Sequence, residues 1–180
     1  MKPGKRVIAV DESPKRSDGS RLVCFVKFRG SRFVEDVKIE RFDGSMDPTE
    51  FLRYQLNSWI EKDQISVIFV DGICLGDLNV MDIFKLSEST SLPVISITRN
   101  EPDKEGFRKA LEATDTDPST FEKYGTPQSI EVGPGTVYTH FSGVSEQELN
   151  DILGQTNLES SIPEALRVAD KISSGIPAKW

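Results

Sequence analysis

A mixed α/β sheet with helices on both faces is the architecture this sequence predicts, and three observations carry the prediction. Strand-like segments come first, at Lys5 to Val10, Arg21 to Arg29 and Phe33 to Phe42. Helical and strand-like segments then alternate through the rest of the chain. The runs Val7 to Val10 and Ile65 to Val70, the second interrupted only by Ser66, are apolar stretches of strand length, the pattern of strands covered on both faces.

The elements follow in order. The first strand ends on Asp11-Glu12-Ser13-Pro14, and Pro14 to Ser20 reads as a polar loop. Gly30-Ser31 marks a turn between the second and third strands. In the third, Phe33, Val37 and Ile39 are expected on one face and Asp36, Lys38 and Glu40 on the other, so that one side is solvated. A helix then starts with Asp47 as N-cap, Pro48 at its first position and Glu50 where a capping box places it. Leu52, Leu56, Trp59 and Ile60 recur at helical spacing and predict one buried face. Beyond Gly76 the sequence predicts a helix from Leu78 to Ser89, a strand from Pro93 to Thr98 and a helix from Asp103 to Thr114. The stretch from Asp115 to Gly135 reads mostly as loop. A strand from Thr136 to Phe141, a helix capped by Ser145 with Glu148 three residues on, and a last helix from Pro163 through Ile172 complete the pattern. No repeat and no linker divides the chain, so residues 1–180 are expected to form a single domain.

Composition narrows the function. Hydrophobic residues make up 37% and charged residues 28%, an ordinary balance for a soluble globular protein. The apolar runs are too short to span a bilayer, and the basic start, Met1 to Arg6, leads into a strand and not a signal segment. A cytoplasmic protein that does not engage membranes is the expectation. Cys24 and Cys74 read as reduced thiols, and a single histidine, His140, argues against a structural zinc site. The net charge of −7 works against broad, nonspecific binding of nucleic acid but permits a local basic face.

Two strands end in an aspartate, Asp11 and Asp71. In open α/β sheets ligands bind beyond the carboxyl ends of the strands. If the two strands are parallel neighbours, these carboxylates meet there, and a hard divalent cation would relieve their repulsion. Such ions activate water and stabilise a leaving oxygen in phosphodiester cleavage. Asp71-Gly72 also has the composition of a simple turn, and Asp47 with Glu50 that of a helix cap.

Several segments together resemble the archaeal DUF99 (UPF0215) family. They are Ile8-Ala9-Val10-Asp11-Glu12-Ser13-Pro14, Val70-Asp71-Gly72-Ile73, Leu78-Asn79-Val80-Met81-Asp82-Ile83, Leu92-Pro93-Val94-Ile95 and Ile162-Pro163-Glu164-Ala165-Leu166-Arg167-Val168-Ala169. That family in turn resembles endonuclease V, a metal-dependent nuclease acting at deaminated purines. The resemblance implies a ribonuclease H-like fold, a nuclease (hydrolase) active on DNA or RNA, and Mg²⁺ or Mn²⁺ as cofactor. It implies Asp11 and Asp71 as catalytic metal ligands, with either Asp47 or Glu50 as the third carboxylate. Arg99 falls where the family has a lysine. The Pro-Tyr-Ile-Pro wedge of endonuclease V is replaced by Arg41-Phe42-Asp43-Gly44-Ser45-Met46, and a late glycine-histidine pair by Gly143-Val144.

Two readings follow. One is a metal-dependent nucleic-acid phosphodiesterase with altered substrate handling. The alternative is a non-catalytic module that binds nucleic acid or protein on the same fold. A basic rim of Lys15, Arg16, Arg21 and Arg99 around Asp11 would favour nucleic acid. A further possibility is an oligomeric scaffold anchored by Trp59 and Trp180, although the helical spacing of Trp59 predicts core packing.

Overall fold

The computed structural model describes residues 6–59 and 64–177. Ile60, Trp180 and the start of the chain up to Lys5, all of which figure in the sequence reading, lie outside the described residues. Strands β1 (Arg6–Glu12), β2 (Arg21–Arg29) and β3 (Phe33–Phe42) form an antiparallel meander. Helix α1 (Pro48–Trp59) leads to β4 (Ile65–Asp71), α2 (Ile83–Thr90) to β5 (Val94–Thr98), and α3 (Lys104–Ala113) and α4 (Ser119–Glu122) to the hairpin β6 (Gln128–Val132) and β7 (Gly135–Ser142). Helices α5 (Glu146–Thr156) and α6 (Glu164–Ser174) follow. The seven strands lie in the order β3-β2-β1-β4-β5-β7-β6, with β1, β4 and β5 mutually parallel.

The apolar runs fall in the centre of this sheet because alternate residues bury on opposite faces. Ile8, Val10, Ile68 and Val70 pack under α1 and α2, against Leu52, Leu56, Ile83 and Leu86. Val7, Ala9, Val67 and Phe69 pack on the other face, against Leu149 and Leu153 of α5 and Ala165, Leu166 and Ala169 of α6. Trp59 is partly buried against the first of these clusters, and its indole N–H donates to Asp36 at 2.9 Å.

Three departures from the sequence reading have local causes. Residues Gly72 to Met81 fold back on themselves, so the helix expected from Leu78 has not yet begun there. Gly76 and Asp77 take the left-handed conformation (φ 71° and 58°), and Cys74 bridges Val80. Helix α2 therefore begins only after Asp82, whose Oδ1 accepts from the Lys85 amide at 2.9 Å. The stretch read as loop contains β6, which pairs with β7 and has one buried residue, Ile130, too few for an apolar pattern. On β3, Val37 and Ile39 are 39% and 45% exposed, because β3 is an edge strand and α6 packs chiefly on β1 and β2.

Candidate functional site

Val10 and Val70 are register partners on the adjacent parallel strands β1 and β4. Asp11 and Asp71 each come one residue later, on strands that lie about 4.8 Å apart. Alternation puts both on the face that packs against α6, the face of Ala9 and Phe69. The condition set by the sequence, that the two strands be parallel neighbours, is therefore met.

Asp11 is held from two sides. Its Oδ1 accepts from the Glu12 amide at 2.8 Å, and its Oδ2 accepts from the Ser173 hydroxyl at 2.6 Å. Burial raises the carboxyl above its ordinary range, partly countered by the Ser173 and Glu12 bonds, while the charge of Asp170 adds to the rise. Asp71 is pushed up to about 6, first by the protein crowded around its carboxyl, then by the negative charges of Asp11 and Asp170, with Arg99 opposing. As a residue Asp71 still faces solvent, so screening reduces what this shift is worth in stability.

Asp170 was not foreseen in the sequence. It lies one helical turn before Ser173 on α6, and that spacing turns both residues toward the strand ends. The available signal was its place beside the buried stripe Ala165, Leu166, Ala169 and Ser173, but nothing in the sequence says which strand that stripe covers. Arg99, just past β5, has its guanidinium 4.0 Å from the Asp170 carboxylate.

Asp47 and Glu50 are engaged elsewhere. Asp47 caps α1, its Oδ1 accepting from the Glu50 amide at 3.0 Å. The Glu50 carboxylate sits between Arg53 at 2.7 Å and Lys85 of α2 at 2.8 Å, and these two cations hold its pKa below the usual range. Neither residue contributes to the perturbation of Asp71. The rim is also largely neutralised: Lys15 pairs with Asp77 at 2.6 Å, and Arg21 with Asp77 at 2.7 Å and Glu12 at 3.3 Å.

Two concavities meet at Asp71. A groove of about 450 Å³ runs past Asp71, Thr98, Arg99, Leu166 and Asp170. A cavity of about 340 Å³ opens on the opposite face of β5 and β7, between the sheet and helices α3 and α4, with Asp71, Thr98 and Pro102 common to both. It is walled by Ile73, Phe107, Phe121 and Tyr138, and His140 and Ser96 line it. His140, read from sequence only as a strand residue, is held at about 4 by burial and by the nearby Lys104 cation, so its imidazole is neutral. The two cysteines are inert by comparison, both thiols being pushed up to about 12 by burial.

The donor chemistry suits a hard divalent cation: carboxylate oxygens whose excess of negative charge Arg99, and at Asp170 also Lys171 at 3.2 Å, offset in part. Among the described residues, however, no group of three or more His, Cys, Asp or Glu side chains is disposed to hold a metal ion as it stands. Both Asp11 oxygens are already engaged by hydrogen bonds.

Comparison with known proteins agrees with this architecture. The UPF0215 protein of Methanothermobacter thermautotrophicus is 33% identical over 179 residues, covering 95% of this chain and 87% of that protein. Among solved structures, a protein of unknown function from Archaeoglobus fulgidus superposes with a TM-score of 0.81 at 23% identity, over 94% of this chain and 96% of that one. Endonuclease V of Ciona intestinalis, solved in complex with inosine-containing DNA, superposes with a TM-score of 0.65 at 15% identity, over 94% and 84%. The fold is thus the mixed ribonuclease H-like sheet of endonuclease V. The sequence profile of the family described as Endonuclease dU matches residues 3–177, and the chain belongs to that family.

Proposed function

We propose that this protein is a divalent-metal-dependent phosphodiesterase that cleaves nucleic acid, DNA or RNA, at a deaminated base. The observation that carries the reading is the placement of Asp11 and Asp71 on adjacent strand ends, with Asp170 facing them from α6 and a cavity opening beside Asp71. Asp11 and Asp71 would hold the metal, and Asp170 is the third carboxylate of the same cluster. Asp47 or Glu50 could take that place only by leaving the cap and the ion pairs they now make. A bound Mg²⁺ or Mn²⁺ would activate water and neutralise charge building on the phosphate. Arg99 adds a fixed positive charge at the rim of the groove, where a scissile phosphate would lie. The family description supports deoxyuridine as substrate, and the Ciona neighbour was solved with inosine.

The test is cleavage of oligonucleotides carrying one deoxyuridine or one inosine, with Mg²⁺ or Mn²⁺, wild type beside Asp71→Asn. Metal-dependent scission at the modified nucleotide, lost in the variant, supports the reading; equal residual activity in both refutes it. A second reading, a binding module without hydrolysis, is favoured by the pairing of the rim cations Lys15 and Arg21 and by the lack, among the described residues, of a ready three-ligand arrangement. That reading expects oligonucleotide binding without cleavage at any metal concentration.

A further inference from the structure

We propose that Ser96, His140 and Lys104 read the C(=O)–N–H edge that deamination creates on a nucleobase; this rests on the cleavage reading above and adds the residues that set its specificity. Ser96 and His140 are register partners on the antiparallel strands β5 and β7, so their side chains stand next to each other on the floor of the cavity. Ser96 is 1% exposed and His140 is half-buried with its ring edge-on to Tyr124, and among the described residues neither side chain makes a hydrogen bond within the protein. Both open onto the cavity, so their hydrogen-bonding capacity is left for whatever enters it.

The walls indicate what kind of ligand. Ile73, Phe107, Phe121 and Tyr138 make an apolar, largely aromatic slot over a small polar floor, which suits a planar heterocycle taken out of its stack. The slot shares Asp71, Thr98 and Pro102 with the groove of Arg99 and Asp170. A base seated in it keeps its own backbone beside the carboxylates.

The polar groups favour one base edge over the other. The Lys104 ammonium only donates; one N–H goes to the Gly125 carbonyl at 2.7 Å and the others remain. The neutral imidazole of His140 offers one N–H and one lone pair, and the Ser96 hydroxyl can donate or accept. A carbonyl oxygen next to a ring N–H meets the Lys104 donors and the His140 lone pair. An exocyclic amine next to a bare ring nitrogen, as in cytosine or adenine, sets donors against the Lys104 donors. Three acids line the cavity: Asp71, which the cleavage reading assigns to the metal, and Glu12 and Asp103, which are committed within the protein, Glu12 accepting from the Gly76 amide at 2.5 Å and pairing with Arg21, and Asp103 accepting from the Gly106 amide at 2.9 Å. They do not offer an amine a ready acceptor.

The experiment compares kcat/KM on two oligonucleotides with Mn²⁺, one carrying deoxyuridine and the other deoxycytidine at the same position, for wild type, Ser96→Ala, His140→Phe and Lys104→Met. Circular dichroism melts establish that each variant folds. The expected result is a fall in the deoxyuridine-to-deoxycytidine ratio of roughly 10-fold or more in each folded variant. In parallel, dUMP and dCMP are titrated without metal into ¹⁵N-labelled wild type. Amide shifts at Gly72, Ser96 and Lys104 with dUMP, and weaker ones with dCMP, are expected. An unchanged ratio in the folded variants, or dUMP shifts that map to another surface, would overturn the proposal. If wild type cleaves neither oligonucleotide, the cleavage reading fails and the nucleotide titration alone decides this one.

Discussion

Ser173 on α6 donates a hydrogen bond of 2.6 Å to Asp11 on β1, across 162 positions of sequence. The same hydroxyl lies 3.1 Å from the Asp170 carbonyl, so the last helix orients the first-strand carboxylate and sets its own acid beside it. Ser173→Ala removes this contact and leaves a largely buried carboxylate less satisfied. It should cost about 1 kcal/mol in denaturant unfolding and raise the Asp11 pKa further. An unchanged midpoint would show that the bond contributes nothing to the fold.

Asp71→Asn takes one negative charge out of the cluster. In metal-free buffer at pH 7 it should melt at or slightly above the wild-type temperature, by less than about 1 kcal/mol because Asp71 meets solvent. Mn²⁺ should raise the wild-type Tm and leave the variant's where it is. Calorimetric titration checks the same point directly, and a variant that keeps full Mn²⁺ affinity rules out Asp71 as a ligand.

Glu50→Gln breaks the ion pairs to Arg53 and Lys85, exposed contacts worth at most about 1 kcal/mol. Mn²⁺ affinity and cleavage should stay within a few-fold of wild type. A loss of metal binding comparable to that of Asp71→Asn would instead assign Glu50 as the third ligand.

His140 and Asp71 give opposite pH dependences. The imidazole titrates near 6.5 when unfolded and at about 4 when folded, so the unfolded chain binds more protons in that window. Its contribution is intact above 6.5 and is lost as pH falls to 4. Asp71 is raised from 3.8 to about 6, so its contribution is intact below 3.8 and is lost as pH rises through 6. His140→Phe removes the first and keeps the second. Unfolding curves from pH 7 down to pH 4 should show the variant gaining on wild type by about 1 kcal/mol, solvent around the half-buried imidazole screening the rest of the shift. Parallel curves would place the imidazole in solvent.

Leu56→Ala opens a cavity at a position with no solvent contact between α1 and the sheet. The expected loss is roughly 2–5 kcal/mol. An unchanged melt would mean that the α1 face is not core.

Period-two and helical patterns determined most of the elements, because burial on one face or two is written directly into local residue order. Val7 to Val10 and Ile65 to Val70 identified the central strands, and Asp11 and Asp71 marked their ends. The cap at Asp47 was legible because capping is a contact within four residues. Residues 78–82 were misread as the start of a helix, since the left-handed turn at Gly76 and Asp77 that folds Val80 back onto Cys74 leaves no trace in an apolar pattern. Asp170, Ser173 and the Ser96–His140 pair could not be read at all. Their meaning depends on which strand α6 covers and on how β5 pairs with β7, and pairing across such separations is fixed by the packing of the whole sheet. The sequence determined the strands and the two aspartates that end them; the tertiary structure decided what faces those aspartates.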